Sequence, residues 1–319
     1  MRVLITNDDG VSAPGILALA AAVAGSHDVV VAAPQDEASG MSAALTAVVS
    51  DGQIVVAPFE LPGITAYGVA ASPAYIVVLA SLGVFGPPPD IVLSGINRGA
   101  NAGRAVLHSG TVGAALTAAN YGMRAMAVSL DVLNGDATVS AASGSAASGS
   151  AASGSAASGS AASGSAASGS AASGSAASGS AASGSAASRS AASGSAASGG
   201  NALVLPSDDV LHWPIAASIA ASLMDAAATV PAGTVLNVNV PDRPREPELR
   251  EATLASFGQA GIALAEAGEG YVRTTIERTG ESLVPGTDLA LLAEGYATVT
   301  ALRPPVAVAG VRIPAQRRP

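Results

Sequence analysis

Arg2-Val-Leu-Ile-Thr6-Asn7-Asp8-Asp9-Gly10 opens the chain with a short apolar run that reads as a buried strand and then turns sharply on two adjacent carboxylates. Working outward, Gly15–Ala24 has helical character, Asp28–Ala33 is a second strand of β-branched residues, and Gln53–Ala57 reads as a third. Pro73–Leu82 and Thr111–Tyr121 read as helices, while Asp90–Leu93 and Arg124–Leu130 read as strands. Strands that are apolar almost throughout, alternating with helices, imply a mostly parallel sheet covered on both faces. Further along, Val210–Ala228 reads as an Ala-rich helix and Val235–Val240 as a strand. Leu249–Phe257, Tyr271–Glu277 and Tyr296–Leu302 read as strands of a mixed or antiparallel C-terminal extension.

Between Ser140 and Gly199 the sequence changes character, to twelve copies of Ser-Ala-Ala-Ser-Gly interrupted only by Arg189. The glycine that closes every copy but the one with Arg189 opposes a helix by about 1 kcal/mol each, and the serines compete for backbone hydrogen bonds. The apolar content is methyl groups only, too little to offset the entropy of ordering. A disordered tether is the expectation; five residues are too few for a repeat that buries a face in a solenoid. Residues 1–139 and 201–303 are therefore expected to be two parts of one α/β domain, with 140–200 inserted and 304–319 a tail.

Composition closes off several chemistries. No cysteine is present, so disulfides, zinc ribbons and thiol nucleophiles are excluded, and a metal would have to be held by oxygen or by His27, His108 or His212. That favours a hard cation such as Mg²⁺ or Mn²⁺. All 14 basic residues are arginine, and the formal net charge is −9, which argues against nucleic acid as a partner. No apolar run reaches the length of a membrane span and no leader-like segment precedes the first strand, so a soluble, cytoplasmic protein without a membrane partner is expected.

In open parallel sheets, ligands bind beyond the carboxyl ends of the strands, so the loops that follow them carry the functional expectation. After the first strand, Asp8 and Asp9 repel each other unless a cation or a proton lies between them, although solvated acids at an Asp-Gly turn would look the same. After the second, Ser39-Gly40 either offers a hydroxyl where the backbone can come close or is only turn punctuation. After the strand ending near Leu93, Ser94-Gly-Ile-Asn97-Arg-Gly-Ala-Asn101-Ala-Gly103 supplies neutral oxygen donors. Ser109-Gly110-Thr111 then enters a helix, with the logic either of an anion site or of an ordinary N-cap.

Together these loops resemble the SurE-type 5′/3′-nucleotidases. The resemblance rests on Arg2–Gly10 with Ala13-Pro14-Gly15; on Val31-Ala-Ala-Pro34 with Ser39-Gly40 and Leu45-Thr46; and on Ser94–Asn101 with Ser109–Ala115. Leu236-Asn-Val-Asn-Val-Pro241 and Thr287-Asp288 through Thr300 resemble the C-terminal half. The resemblance implies a Rossmann-like three-layer α/β core with a β-rich C-terminal extension that assembles homodimers or homotetramers. It implies one divalent metal per subunit held by Asp8, Asp9, Ser39 and Asn97, with Asn97, Asn101, Ser109, Gly110 and Thr111 around the phosphate. The implied activity is hydrolysis of nucleoside 5′- and also 3′-monophosphates, with Asp8, Asp9 and Asn97 as catalytic residues. The alternatives are a nucleotide-binding module of the same fold with impaired turnover, or a hydrolase of short polyphosphate.

His108, where the family usually has tyrosine, is either a general acid or a surface residue, and with Arg104, Thr117 and Ala71–Ala74 it departs from the family pattern in ways that bear on substrate preference. A signalling receiver domain would need a lysine, and an aspartyl-phosphate phosphatase would need Asp-x-Asp; neither is present after the first strand. Deleting Ser140–Gly199 is expected to leave phosphatase activity within a few fold of the full chain. Collapse of folding or turnover on deletion would overturn the tether expectation.

Overall fold

A computed structural model describes residues 1–133, 206–257, 260–268, 271–278 and 282–307. The expected tether over 140–200 lies outside the described residues, as does most of the tail. The strands are β1 (Arg2–Thr6), β2 (Asp28–Pro34), β3 (Val49–Ser50), β4 (Gln53–Ile54), β5 (Val56–Phe59), β6 (Thr65–Val69), β7 (Ile91–Arg98), β8 (Arg124–Asp131), β9 (Val235–Pro241), β10 (Leu249–Glu251), β11 (Ala260–Gly268), β12 (Tyr271–Arg278) and β13 (Ala297–Leu302). The helices are α1 (Pro14–Val23), α2 (Pro73–Ser81), α3 (Gly110–Asn120), α4 (Trp213–Ser222), α5 (Met224–Thr229) and α6 (Asp288–Glu294), with 3₁₀ turns at Gly103–His108 and Asp208–Val210.

One nine-stranded sheet runs β10-β13-β9-β8-β7-β1-β2-β6-β5. Its six central strands, β9 to β6 in that order, are all parallel, and antiparallel pairing appears only at β9–β13 and β6–β5. The expected α/β class is thus the observed one. β9, which follows the segment 134–205, pairs with β8, which precedes it, from Ala125↔Val235 to Asp131↔Pro241. Described chain on either side of that segment therefore contributes to one sheet. β11 and β12 pair only with each other. Among the described residues no helix is long and apolar enough to cross a membrane.

The layers follow from the two-residue period of the strands. Val3 and Ile5 of β1 face a core shared with Ile16 and Leu19 of α1 and Ile219 of α4, whereas Leu4 faces α2 and α3 on the other side. These side chains are fully buried, and each contributes about 1.5–3 kcal/mol relative to exposure. Helix starts are fixed locally: Ser72 accepts from the Tyr75 N–H at 3.4 Å ahead of Pro73, and Thr287 accepts from the Ala290 N–H at 3.4 Å.

The sheet also locates the crevice. From β1 the chain moves outward through β2 to β6, then returns to β7 on the opposite flank of β1. The order reverses between β1 and β7, the position at which an open parallel sheet leaves a gap at its carboxyl edge. Gly15 lets α1 close over this region: a methyl group there would lie 2.1 Å from the Ile96 carbonyl oxygen and 3.0 Å from the Trp213 ring.

Several elements differ from expectation. The single helix expected over Val210–Ala228 is a 3₁₀ turn followed by α4 and α5; Pro214, which lacks an N–H, sets the start of α4 at Trp213. β6 was unexpected; Gly68 dilutes its sequence signal, and pairing with β2 and β5 holds it in place. Leu249–Phe257 shortens to the three residues of β10, β11 was missed, and α6 was not anticipated as a helix. Gly15→Ala is expected to lower stability by about 1–3 kcal/mol through overpacking; an unchanged urea midpoint would contradict the close approach of α1.

Candidate active site

Asp8 and Asp9 stand at the carboxyl end of β1, beside the reversal in strand order. Asn7 is buried, and its side-chain Nδ2 donates to the Gly10 carbonyl at 2.9 Å, closing the turn that presents the two acids. The loop after β2 is tied to this turn through its backbone, the Ala38 N–H donating to the Asp8 carbonyl at 2.7 Å. Asn97 arrives from β7 at an irregularity. Ser94 pairs with Ala127 and Asn97 with Ser129, so β7 carries one more residue than β8 between them. Such a bulge re-aims a side chain at a strand end.

Asp8, Asp9, Ser39, Asn97, Asn101 and Ser109 line one cavity of about 340 Å³. Six of the eight residues singled out from the sequence are therefore brought together; Gly110 and Thr111 are not on its wall. Instead, the buried Thr111 hydroxyl donates to Asp8 Oδ1, and Gly110 lies directly beneath that carboxylate. A methyl group at Gly110 would come within 2.6 Å of Asp8 Oδ2. The start of α3 thus serves Asp8 first. Ser109 caps α3, its Oγ accepting from the Val112 N–H at 3.0 Å, while still reaching the cavity.

Both acids are held against their ionised forms. Burial raises the Asp8 carboxyl above the usual carboxylate range, opposed by the Thr111 hydroxyl and by the backbone N–H groups of Thr111 and Gly110. Asp9 is pushed up to about 7 by burial and then by the charge of Asp8. The Arg98 backbone N–H opposes that rise, while Glu37 and Asp208 add to it. Asp9 Oδ2 is buried without a hydrogen-bond partner. Ser39 and Asn97 bring neutral oxygens to the same cavity, which Glu37 also lines. The Ser39 hydroxyl donates to Glu37 Oε1 at 2.9 Å, which leaves its lone pairs free, and Asn97 Nδ2 donates to the Gly99 carbonyl at 2.8 Å, which leaves Oδ1 free.

An orphaned carboxylate oxygen, a repelling pair of acids and two neutral oxygens form a donor set that fits a hard divalent cation. Among the described residues no group of three or more His, Asp or Glu has metal-binding geometry, so a cation here would rest on two carboxylates and neutral oxygens.

Sequence reasoning gave no role to Glu37, although it lies two residues before Ser39, or to Arg98. The Arg98 guanidinium donates to the Pro206 carbonyl and pairs with Asp208, Nε to Oδ1 at 2.9 Å. Both partners lie more than a hundred residues away, so no local pattern could have revealed the contact. His108 is exposed on the cavity rim.

Residues 3–153 match the family model described as Survival protein SurE. The chain is 44% identical over 132 residues to the 5′-nucleotidase SurE of Syntrophobacter fumaroxidans, covering 41% of this chain and 52% of the relative. It is 46% identical over 140 residues to the 5′-nucleotidase SurE of Xanthomonas oryzae pv. oryzae (43% and 51% covered). It is 44% identical over 131 residues to the 5′/3′-nucleotidase SurE of Photorhabdus laumondii (41% and 50% covered). The chain thus spans about half the length of the curated relatives it matches. The crystal structure of the SurE protein from Aquifex aeolicus superposes with a TM-score of 0.59, covering 95% of this chain and 93% of that one at 20% identity, a likeness of fold.

The raised Asp9 pKa has a consequence for the metal-free protein. Unfolded, Asp9 loses its proton near 3.8, while folded it keeps it to about 7. Its contribution to stability is therefore full below about pH 4 and is lost as pH rises toward 7. In EDTA, Asp9→Asn is expected to gain on the wild type by on the order of 1–3 kcal/mol between pH 5 and pH 8. Urea titrations in which the two proteins keep a constant difference would contradict this.

Proposed function

We propose that the protein, whose residues 3–153 match the family model described as Survival protein SurE, is a divalent-metal-dependent phosphomonoesterase hydrolysing nucleoside 5′-monophosphates, and 3′-monophosphates as well. One observation carries the reading: Asp8 and Asp9, adjacent and largely buried, share a cavity with Ser39 and Asn97, and Asp9 Oδ2 has no partner. Relatives matched over this half of the chain are named 5′-nucleotidase SurE or 5′/3′-nucleotidase SurE.

On this reading Asp8, Asp9, Ser39 and Asn97 hold one Mg²⁺ or Mn²⁺, which when bound polarises a phosphoryl oxygen and lowers the pKa of a coordinated water. Thr111 fixes the orientation of Asp8, and Glu37 accepts the Ser39 hydroxyl hydrogen bond, which leaves the lone pairs of that oxygen free. Asn101 and Ser109 stand on the cavity wall where charge develops on the phosphoryl oxygens, a placement that lowers a barrier because the dipoles are set in advance. Gly110 and Thr111 act through Asp8 instead of touching phosphate. His108, exposed on the cavity rim, is the general-acid candidate for the leaving group on this reading. Assembly as a homodimer or homotetramer in the cytoplasm belongs to the same reading.

The test is phosphate release from a panel of 5′- and 3′-nucleoside monophosphates in EDTA, Mg²⁺ and Mn²⁺. Release that depends on the cation is expected. Asp9→Asn is expected to lower it by about 100-fold or more while remaining folded. Nucleotide binding without turnover would favour the impaired-module alternative, a preference for short polyphosphate would favour the other, and unchanged turnover in Asp9→Asn would remove the assigned site.

A further inference from the structure

β9 carries two asparagines where the rest of the strand is apolar. Val235-Leu-Asn237-Val-Asn239-Val240 alternates so that Leu236, Val238 and Val240 join the core on the α1 and α4 side. Val235 faces the other core, and Asn237 and Asn239 share its side of the strand. Both asparagines are fully buried. A buried amide is costly unless bonded, whereas apolar side chains of similar shape would be close to neutral there.

Their bonds converge on one residue of the loop after β7. The Asn101 N–H donates to Asn239 Oδ1 at 2.8 Å. The Asn101 carbonyl accepts from Asn237 Nδ2 at 2.8 Å and from Asn239 Nδ2 at 3.1 Å. All the hydrogen-bonding capacity of the Asn101 backbone is thereby used by β9. Its side-chain Nδ2 donates to Ser129 Oγ at 2.9 Å, and the residue forms part of the cavity wall. Two residues on, the Gly103 N–H donates to Asp288 Oδ2 at 2.7 Å, so the loop does not hang from Asn101 alone.

We propose that Asn237 and Asn239 are positioning residues for the phosphoryl group: by clasping the Asn101 backbone they fix where its side-chain amide meets the substrate. The inference rests on the phosphomonoesterase reading, with Asn101 as a phosphate donor. It makes the C-terminal part of the chain a contributor to catalytic geometry, although neither asparagine reaches the cavity. A donor displaced by about 1 Å can cost on the order of 100-fold in rate, so a backbone clasp of this kind has a measurable consequence.

A double-mutant cycle tests it. With Mn²⁺ saturating, Asn239→Ala and Asn101→Ala are each expected to lower kcat/KM for a nucleoside monophosphate by about 10–100-fold. The double variant should be no worse than Asn101→Ala alone. Mn²⁺ affinity, measured by calorimetry without nucleotide, should stay within about threefold of wild type, because the clasp acts on the phosphate side of the cavity. Amides of residues 99–103 should exchange faster with deuterium in Asn239→Ala. Losses that multiply in the double variant, unchanged kinetics in Asn239→Ala, or a fall in Mn²⁺ affinity as large as the fall in kcat/KM would overturn the proposal. If Asn239→Ala does not fold, Asn237→Ala, which removes a single donor from the Asn101 carbonyl, carries the same cycle. A wild-type chain that releases no phosphate would defeat the functional reading itself, whereas a multiplicative cycle in an active enzyme would defeat only the clasp.

Discussion

The burial of two adjacent carboxyls, Asp8 and Asp9, in one turn is the constraint that the rest of the site is built around. Asp9 is pushed up to about 7, first by burial and then by the charge of Asp8. The fold opposes this at Asp8 by bringing the first turn of α3 against it, with the Thr111 hydroxyl and two backbone N–H groups as donors. No such hydrogen-bond donor meets Asp9 Oδ2. A protein that leaves one carboxylate oxygen unpaired beside a cavity with neutral oxygens nearby would gain stability from a bound cation.

The sheet explains why these groups meet. Asp8 and Asp9 follow β1, Ser39 follows β2, and Asn97 ends β7, three neighbouring parallel strands whose carboxyl ends lie at one edge. The reversal of strand order between β1 and β7 opens the gap, and the bulge between Ser94 and Asn97 turns the amide into it. Support then comes from farther along the chain. Arg98 holds Pro206 and Asp208, and the two asparagines of β9 hold Asn101. The loops that line the cavity lie in the first 133 residues, yet much of what keeps them in place lies beyond residue 205.

That division is also the division between what the sequence made legible and what it did not. Buried parallel strands announce themselves by continuous apolar runs, so β1, β2, β7 and β8 are readable, and β9 is readable from its alternating apolar residues, as are α1, α2 and α3 with their Pro and Ser starts. Paired acids, Ser39 and Asn97 were readable because each follows a strand that could be recognised. Ser109-Gly110-Thr111 has the logic of an anion site, but local sequence does not show which anion meets a helix N-terminus, and in the fold the Asp8 carboxylate lies against Gly110 and Thr111. Asn237 and Asn239 were visible as a motif without a role. Their partner is more than 130 residues away, and nothing in an alternating strand says what its polar members will touch. Glu37 and Asp208 escaped notice for the same reason, since their effect on Asp9 exists only after folding.

Calorimetric titration of the metal-free chain with Mn²⁺ near pH 6, repeated in two buffers of different ionisation enthalpy, measures both the cation bound and the protons displaced. The account expects one cation per chain with net release of protons, and loss of both binding and release in Asp9→Asn. Binding that displaces no protons, or that survives Asp9→Asn unchanged, would contradict a site organised by its two buried carboxyls.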